Sequence, residues 1–211
     1  MIEWRGRLAG EAAVAATAIR PQRIAQAVGQ RLHDDAIVCG DSGTSTVWWA
    51  RHVPAHAGQR HLVSGTLATM GCALPYAIAA QLAYRRQCVA LMGDGLQMVL
   101  AERITCAKYK LPIKVVVFNN QSLAYIRWEQ LLMQGNPEFG VDIAPTDFAA
   151  IARGCGVEGL RIEDPANVEH DLDRAFAYPG PLVIDALVDP LEPPTPPRLS
   201  PELGRKVREL V

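Results

Sequence analysis

Two short stretches carry residue types suited to one kind of chemistry. Gly93-Asp94-Gly95 follows the apolar run 88–92, and Asn119-Asn120 follows the apolar run 113–118. Asp94 and Asn120 are 26 positions apart, a separation that suits one helix plus one returning strand. Both side chains then reach a single crevice beyond the carboxyl ends of neighbouring strands, where open parallel sheets bind ligands. The glycines permit a tight turn and close approach of backbone, and a helix beginning near Leu96 offers free N–H groups to an anion. A carboxylate and an amide oxygen beside such a phosphate site form a hard donor set for Mg²⁺, which completes its octahedron with phosphate oxygens and water. Each stretch alone reads as a turn; together, one helix apart, they read as a metal–diphosphate site.

The elements that must position these residues follow from the apolar pattern. Residues 36–39, 61–63, 88–92, 113–118, 157–162 and 182–187 read as strands. Helices are expected at 21–32, 44–52, 70–84, 96–110, 122–134 and 166–177, with Thr146 or Asp147 capping another through Ala152. Apolar strands alternating with helices predict an α/β fold, a doubly wound parallel sheet with helices on both faces in a single domain. Residues 1–20 read as a loose lead-in or linker, 21–189 as the domain, and 190–211 as a Pro-rich arm with a short helix. Six of the fifteen prolines lie in that arm, so 191–197 is expected to be extended, and Leu203, Val207 and Leu210 share one side of the helix.

Composition narrows the function classes. The chain has 211 residues, ample for a sizeable core. Its 21 Lys and Arg against 22 Asp and Glu give a formal net charge of −1, which argues against nucleic acid or an anionic membrane as partner. Five scattered cysteines without a C-x-x-C point to a reducing cytoplasm, not to a disulfide framework or metal finger. No apolar stretch is long and uninterrupted enough to span a bilayer, and no leader pattern opens the chain. His52 and His56 have metal-ligand spacing, but Pro54 between them favours a solvated loop. Trp48, Trp49, Trp128 and Cys72 read as core or interface, and Arg85-Arg86 as a solvated helix end. A dinucleotide-binding oxidoreductase is disfavoured, because no G-x-G-x-x-G follows any strand.

Beyond these readings, Gly93-Asp94-Gly95 with its helix, Tyr109-Lys110-Leu111-Pro112, an apolar strand and Asn119-Asn120 resembles the thiamine diphosphate motif. The run from Ser64 to Gly71 resembles the cofactor segment of pyruvate oxidases and acetolactate synthases, and the arm 189–197 resembles the pyruvate oxidase and quinone-dependent pyruvate dehydrogenase branch. The resemblance covers the chain from Pro21 onward. It implies thiamine diphosphate and Mg²⁺ as cofactors and a 2-oxo acid such as pyruvate as substrate, with the cofactor ring as electron sink.

The resemblance also assigns roles. Asp94 and Asn120 would ligate Mg²⁺ by side chain and Ser122 by its carbonyl. Gly43, Thr44, Gly93, Gly95 and Leu96 would surround the diphosphate. Ala68 and Met70 would hold the aminopyrimidine by backbone groups, and the Met70 side chain would sit under the thiazolium. One residue fewer than the family pattern follows Gly95, which turns the first helical turn. No catalytic residue is expected in this chain, because the glutamate that activates the aminopyrimidine belongs to a pyrimidine-binding partner domain; Glu102 is expected to face solvent or a subunit interface. The expected whole is a homo- or hetero-oligomer, with the isolated chain inactive. The alternative is a non-catalytic domain that keeps the fold as a cofactor-binding or assembly module.

Overall fold

The computed structural model describes residues 2–194 and 200–210. Six strands form one sheet: β1 (Ile37–Gly40), β2 (Arg60–Leu62), β3 (Cys88–Gly93), β4 (Lys114–Asn119), β5 (Glu158–Ile162) and β6 (Leu182–Leu187). Their spatial order is β2-β1-β3-β4-β6-β5, and every pairing is parallel. The expected doubly wound α/β architecture is therefore what forms. The period-2 alternation of strands divides the core in two. Val89, Leu91, Val116, Phe118 and Ile184 point to one face, where they meet Ile24, Val28, Trp48 and Leu172. Cys88, Ala90, Met92, Val115 and Val117 point to the other and meet Leu74, Ala77, Leu111 and Phe148. The first group of helices is α2 (Pro21–Gly29), α3 (Thr44–His52) and α8 (Val168–Ala177). The second includes α4 (Ala73–Tyr84), α5 (Glu102–Tyr109) and α7 (Phe148–Gly154).

Several expectations are corrected. The lead-in is not loose: Ile2–Ala13 forms α1, whose Leu8 and Ala12, one turn apart, are buried as it packs on α2 and α3. The helix expected over 96–110 is broken. Asp94–Val99 winds as a 3₁₀ helix and α5 begins only at Glu102. A 3₁₀ turn rises about 2.0 Å per residue against about 1.5 Å for an α-helix, so a segment with one residue fewer can cover the same length. The helix expected from Met70 starts at Ala73, because Gly71 adopts a φ of +88° and forms a turn; Pro75 then falls in the first turn, where its missing N–H costs nothing. The helix near 122–134 divides into α6 (Ala124–Trp128) and a π-helical segment, Glu129–Gln134. Of the two candidate caps, Asp147 serves α7, its carboxylate accepting from the Ala150 N–H at 2.7 Å.

His52 is not in a loop: it ends α3, is buried, and is held neutral to about pH 4 by its burial. Trp48 and Trp128 are core, as expected, while Trp49 stacks on His61 and donates to its Nδ1 at 3.0 Å. The Pro-rich arm returns to the N-terminal side, where Glu192 accepts from Arg20 at 2.9 and 3.1 Å and from Gln22 at 2.5 Å. The rest of the expected extended arm, residues 195–199, lies outside the described residues. The short helix follows as α9 (Pro201–Leu210).

Arg103 on α5 is 1% exposed, and none of its three guanidinium nitrogens has a hydrogen-bond partner among the described residues. An unpaired buried charge is costly, and burial lowers its affinity for its proton. Arg103→Met, which keeps the apolar stem, is expected to raise unfolding stability by about 1–4 kcal/mol in urea titrations. A loss of stability would show that the guanidinium is paired in solution.

Candidate active site

The sheet's winding reverses between β1 and β3. From β1 the chain goes outward to β2, then returns across to β3 on the other side of β1. That switch point opens a crevice at the carboxyl ends of adjacent strands. Its walls are Ser42–Ser45 after β1, Gly93–Gly95 after β3, Asn120 and Ser122–Ile126 after β4, and Met70 from the turn before α4.

Strand register brings Asp94 and Asn120 together. Gly93 lies opposite Phe118, so the residues that follow leave the sheet side by side. The Asp94 carboxylate accepts the Asn120 N–H on Oδ2 and the Gln121 N–H on Oδ1, both at 3.2 Å. Gln121 takes a left-handed φ of +57°, which turns the chain so that Ser122 N–H can donate to Asn120 Oδ1 at 3.2 Å. The Ser122 hydroxyl donates to Val141 O at 3.2 Å, tying the loop after β4 to the segment that crosses it. Asp94 is 4% exposed, and burial pushes its carboxyl up to about 6 against the opposing hydrogen bonds. A cation placed against these oxygens would offset that cost.

Eight of the ten residues expected at the site lie on this one crevice: Gly43, Thr44, Met70, Gly93, Asp94, Gly95, Asn120 and Ser122. Two stand apart. Leu96 has its side chain in the core, fully buried, so its main chain is what it can offer to the crevice. Ala68 is exposed in the preceding turn with a φ of +47° and does not line the crevice wall. Tyr125 and Ile126 also line the crevice, half exposed. Sequence reading placed them in a helix without separating its faces. Glu102 is half-buried at the start of α5.

The cradle fits a magnesium–diphosphate group. A Cβ at Gly43 or Gly93 would meet nothing within 4 Å, so the glycines leave open space on the crevice side. At Gly95 the space is filled by Met70, whose Cβ lies 3.1 Å from where a Cβ would stand. The thioether side chain is thereby set beside the Gly93–Gly95 turn. The available donors are carboxylate and amide oxygens, the set a hard divalent cation takes. Among the described residues there is no cluster of three or more His, Cys, Asp and Glu to suggest a softer metal.

The sequence matches the family described as thiamine pyrophosphate enzyme, C-terminal TPP binding domain, over residues 41–186. That match begins at the residue after β1 and ends within β6, so it contains every residue that lines the crevice. Among curated proteins, the chain is 37% identical over 202 residues to YdaP of Bacillus subtilis (strain 168), a protein named for an inferred thiamine pyrophosphate content. The alignment covers 95% of this chain and 35% of that protein. It is 36% identical over 190 residues to the acetolactate synthase large subunit of Parasynechococcus marenigrum, covering 88% of this chain and 30% of the relative. With the pyruvate oxidase of Lactiplantibacillus plantarum the identity is 32% over 189 residues, covering 88% and 31%. The chain thus spans about a third of the length of these relatives. Crevice and sequence agree that the chain belongs to the family of C-terminal thiamine pyrophosphate-binding domains of thiamine pyrophosphate enzymes.

Proposed function

We propose that this chain supplies the metal- and diphosphate-binding half of a thiamine diphosphate site in an enzyme that decarboxylates a 2-oxo acid such as pyruvate. The observation that carries this reading is the meeting of Asp94, Asn120, Ser122 and Met70 on one crevice at the switch point of the sheet. In this reading Asp94 and Asn120 hold Mg²⁺ by side-chain oxygens and Ser122 by its carbonyl. Gly43, Thr44, Gly93, Gly95 and Leu96 bring main-chain N–H groups around the diphosphate. Ala68 and Met70 hold the aminopyrimidine through their main chain, and the Met70 side chain supports the ring. When bound, the cofactor supplies the electron sink for loss of CO₂. Residues 21–189 form the binding domain, 1–20 its approach and 190–211 its arm.

The proton-transferring glutamate belongs to a pyrimidine-binding domain on a partner polypeptide or elsewhere in a longer one. Exposed apolar side chains support an interface beside the crevice. Met98, in the turn that follows Gly95, is 64% exposed and Ile104 of α5 is 58% exposed. The five free cysteines fit a reducing cytoplasm, and no helix among the described residues is long and apolar enough to cross a membrane.

The test is reconstitution. The pure chain with Mg²⁺, thiamine diphosphate and pyruvate is expected to release no CO₂, and addition of a pyrimidine-binding domain from a relative is expected to start turnover. Turnover by the chain alone would contradict the division of the site. Cofactor binding without turnover in any pairing would favour a non-catalytic module.

A further inference from the structure

Asp41 is the first residue beyond β1 and is 1% exposed. Its main chain is fixed on both sides. The N–H donates to Leu91 O of β3 at 2.9 Å, and the carbonyl accepts from the Thr46 hydroxyl in the first turn of α3. The carboxylate points elsewhere, to a turn 30 residues further along. Oδ2 accepts the Gly71 N–H at 3.0 Å, and Oδ1 accepts the Cys72 thiol at 3.5 Å.

That turn has little freedom. Gly71 holds a φ of +88°, and a Cβ there would stand 2.9 Å from Val99 Cγ1, so the position needs glycine both for its dihedral and for its contact with the 3₁₀ segment. The residue before it is Met70, lying against Gly95. The buried carboxylate, which also accepts from the Ser42 N–H, therefore ties the end of β1 to the segment that carries the Met70 wall of the crevice.

We propose that Asp41 is a positioning residue for the cofactor's ring end: by accepting the Gly71 N–H it holds Met70 in place against Gly95. This rests on the cofactor assignment above. Two probes separate the walls. Thiamine diphosphate needs both, whereas inorganic pyrophosphate with Mg²⁺ needs only the diphosphate wall.

In titration calorimetry of the full chain with Mg²⁺, Asp41→Ala is expected to weaken thiamine diphosphate about tenfold or more, the size expected for one hydrogen bond to a charged group. Pyrophosphate is expected to lose less affinity than thiamine diphosphate. Asp41→Asn keeps an oxygen for the Gly71 N–H and is expected to retain most of the thiamine diphosphate affinity, which separates the hydrogen bond from general damage to the fold. Equal weakening of both probes by Asp41→Ala, no weakening of either, or loss as large with Asn as with Ala would overturn the proposal. Failure of the unaltered chain to bind either probe would overturn the cofactor assignment instead. The Asp41 tie is then read from maleimide labelling of Cys72, mapped by mass spectrometry. Labelling is expected to be about tenfold faster in Asp41→Ala, which frees the turn and removes the charge beside the thiol, than in the unaltered chain; equal rates would refute the tie.

Discussion

Replacing Asp94 by Ala is expected to weaken Mg²⁺-dependent binding of thiamine diphosphate about 100-fold, or about 2.7 kcal/mol. Two losses combine. In the proposed site the cation would lose the one carboxylate among the described residues of the crevice wall, and the N–H groups of Asn120 and Gln121 lose their acceptor, so the Asn120 amide would no longer be held as its ligand. The folded protein without ligand should suffer much less. Its Asp94 carboxyl is pushed up to about 6 by burial, so the ionised group is itself under a cost that the substitution removes. The expected pattern is thus a large loss of affinity in Mg²⁺, little change in the thermal midpoint of the free protein, and no difference from the unaltered chain when the metal is chelated. Equal affinity with and without Asp94 would remove it from the metal site.

The second large effect lies behind the site. Asp185, in the middle of β6, has no exposed surface, yet it accepts from Asn119 Nδ2 at 2.8 Å, from the Phe148 N–H at 3.0 Å and from Arg161 at 2.7 Å. Burial raises its pKa, while those hydrogen bonds and the Arg161 charge oppose the shift. Asn119 and Arg161 also donate to Thr146 O. One carboxylate thus fastens the end of β4, the edge strand β5 and the start of α7. Asp185→Ala leaves the Phe148 N–H buried without an acceptor and the Arg161 guanidinium without its buried partner. Breaking a buried pair from one side costs about 3–5 kcal/mol, and that loss is expected in urea unfolding of the full chain. A loss below about 1 kcal/mol would show that the network relaxes around the gap. Because Asn119 precedes Asn120, cofactor affinity is expected to fall with it.

How far the sequence disclosed this molecule depends on what signal each part carried. The β4 strand is apolar from Val115 to Phe118, so burial on both faces is written in residue type. The bounds expected for β6 and α3 match the structure, the helix opening at the Gly43-Thr44 turn. The Asp94–Asn120 meeting was legible because both follow strands and one helix separates them. What was not legible depends on contacts between distant segments. Nothing in the sequence around Ile2–Ala13 shows that Leu8 and Ala12 have α2 and α3 to lie against. Arg103 looks like any exposed helix cation until the fold closes over it. Asp185 sits within an apolar run, and its three donors come from three different elements. Asp41 does carry a usable signal: it follows β1 directly, in the same strand-end setting as Asp94 after Gly93.

The decisive measurement is calorimetric titration of thiamine diphosphate into the unaltered full chain, once with Mg²⁺ and once with the metal chelated. Saturable binding of one cofactor per chain in Mg²⁺, lost on chelation, is the predicted result. Absence of binding in Mg²⁺, or binding of equal strength without the metal, would contradict a magnesium–diphosphate site at the Asp94–Asn120 crevice.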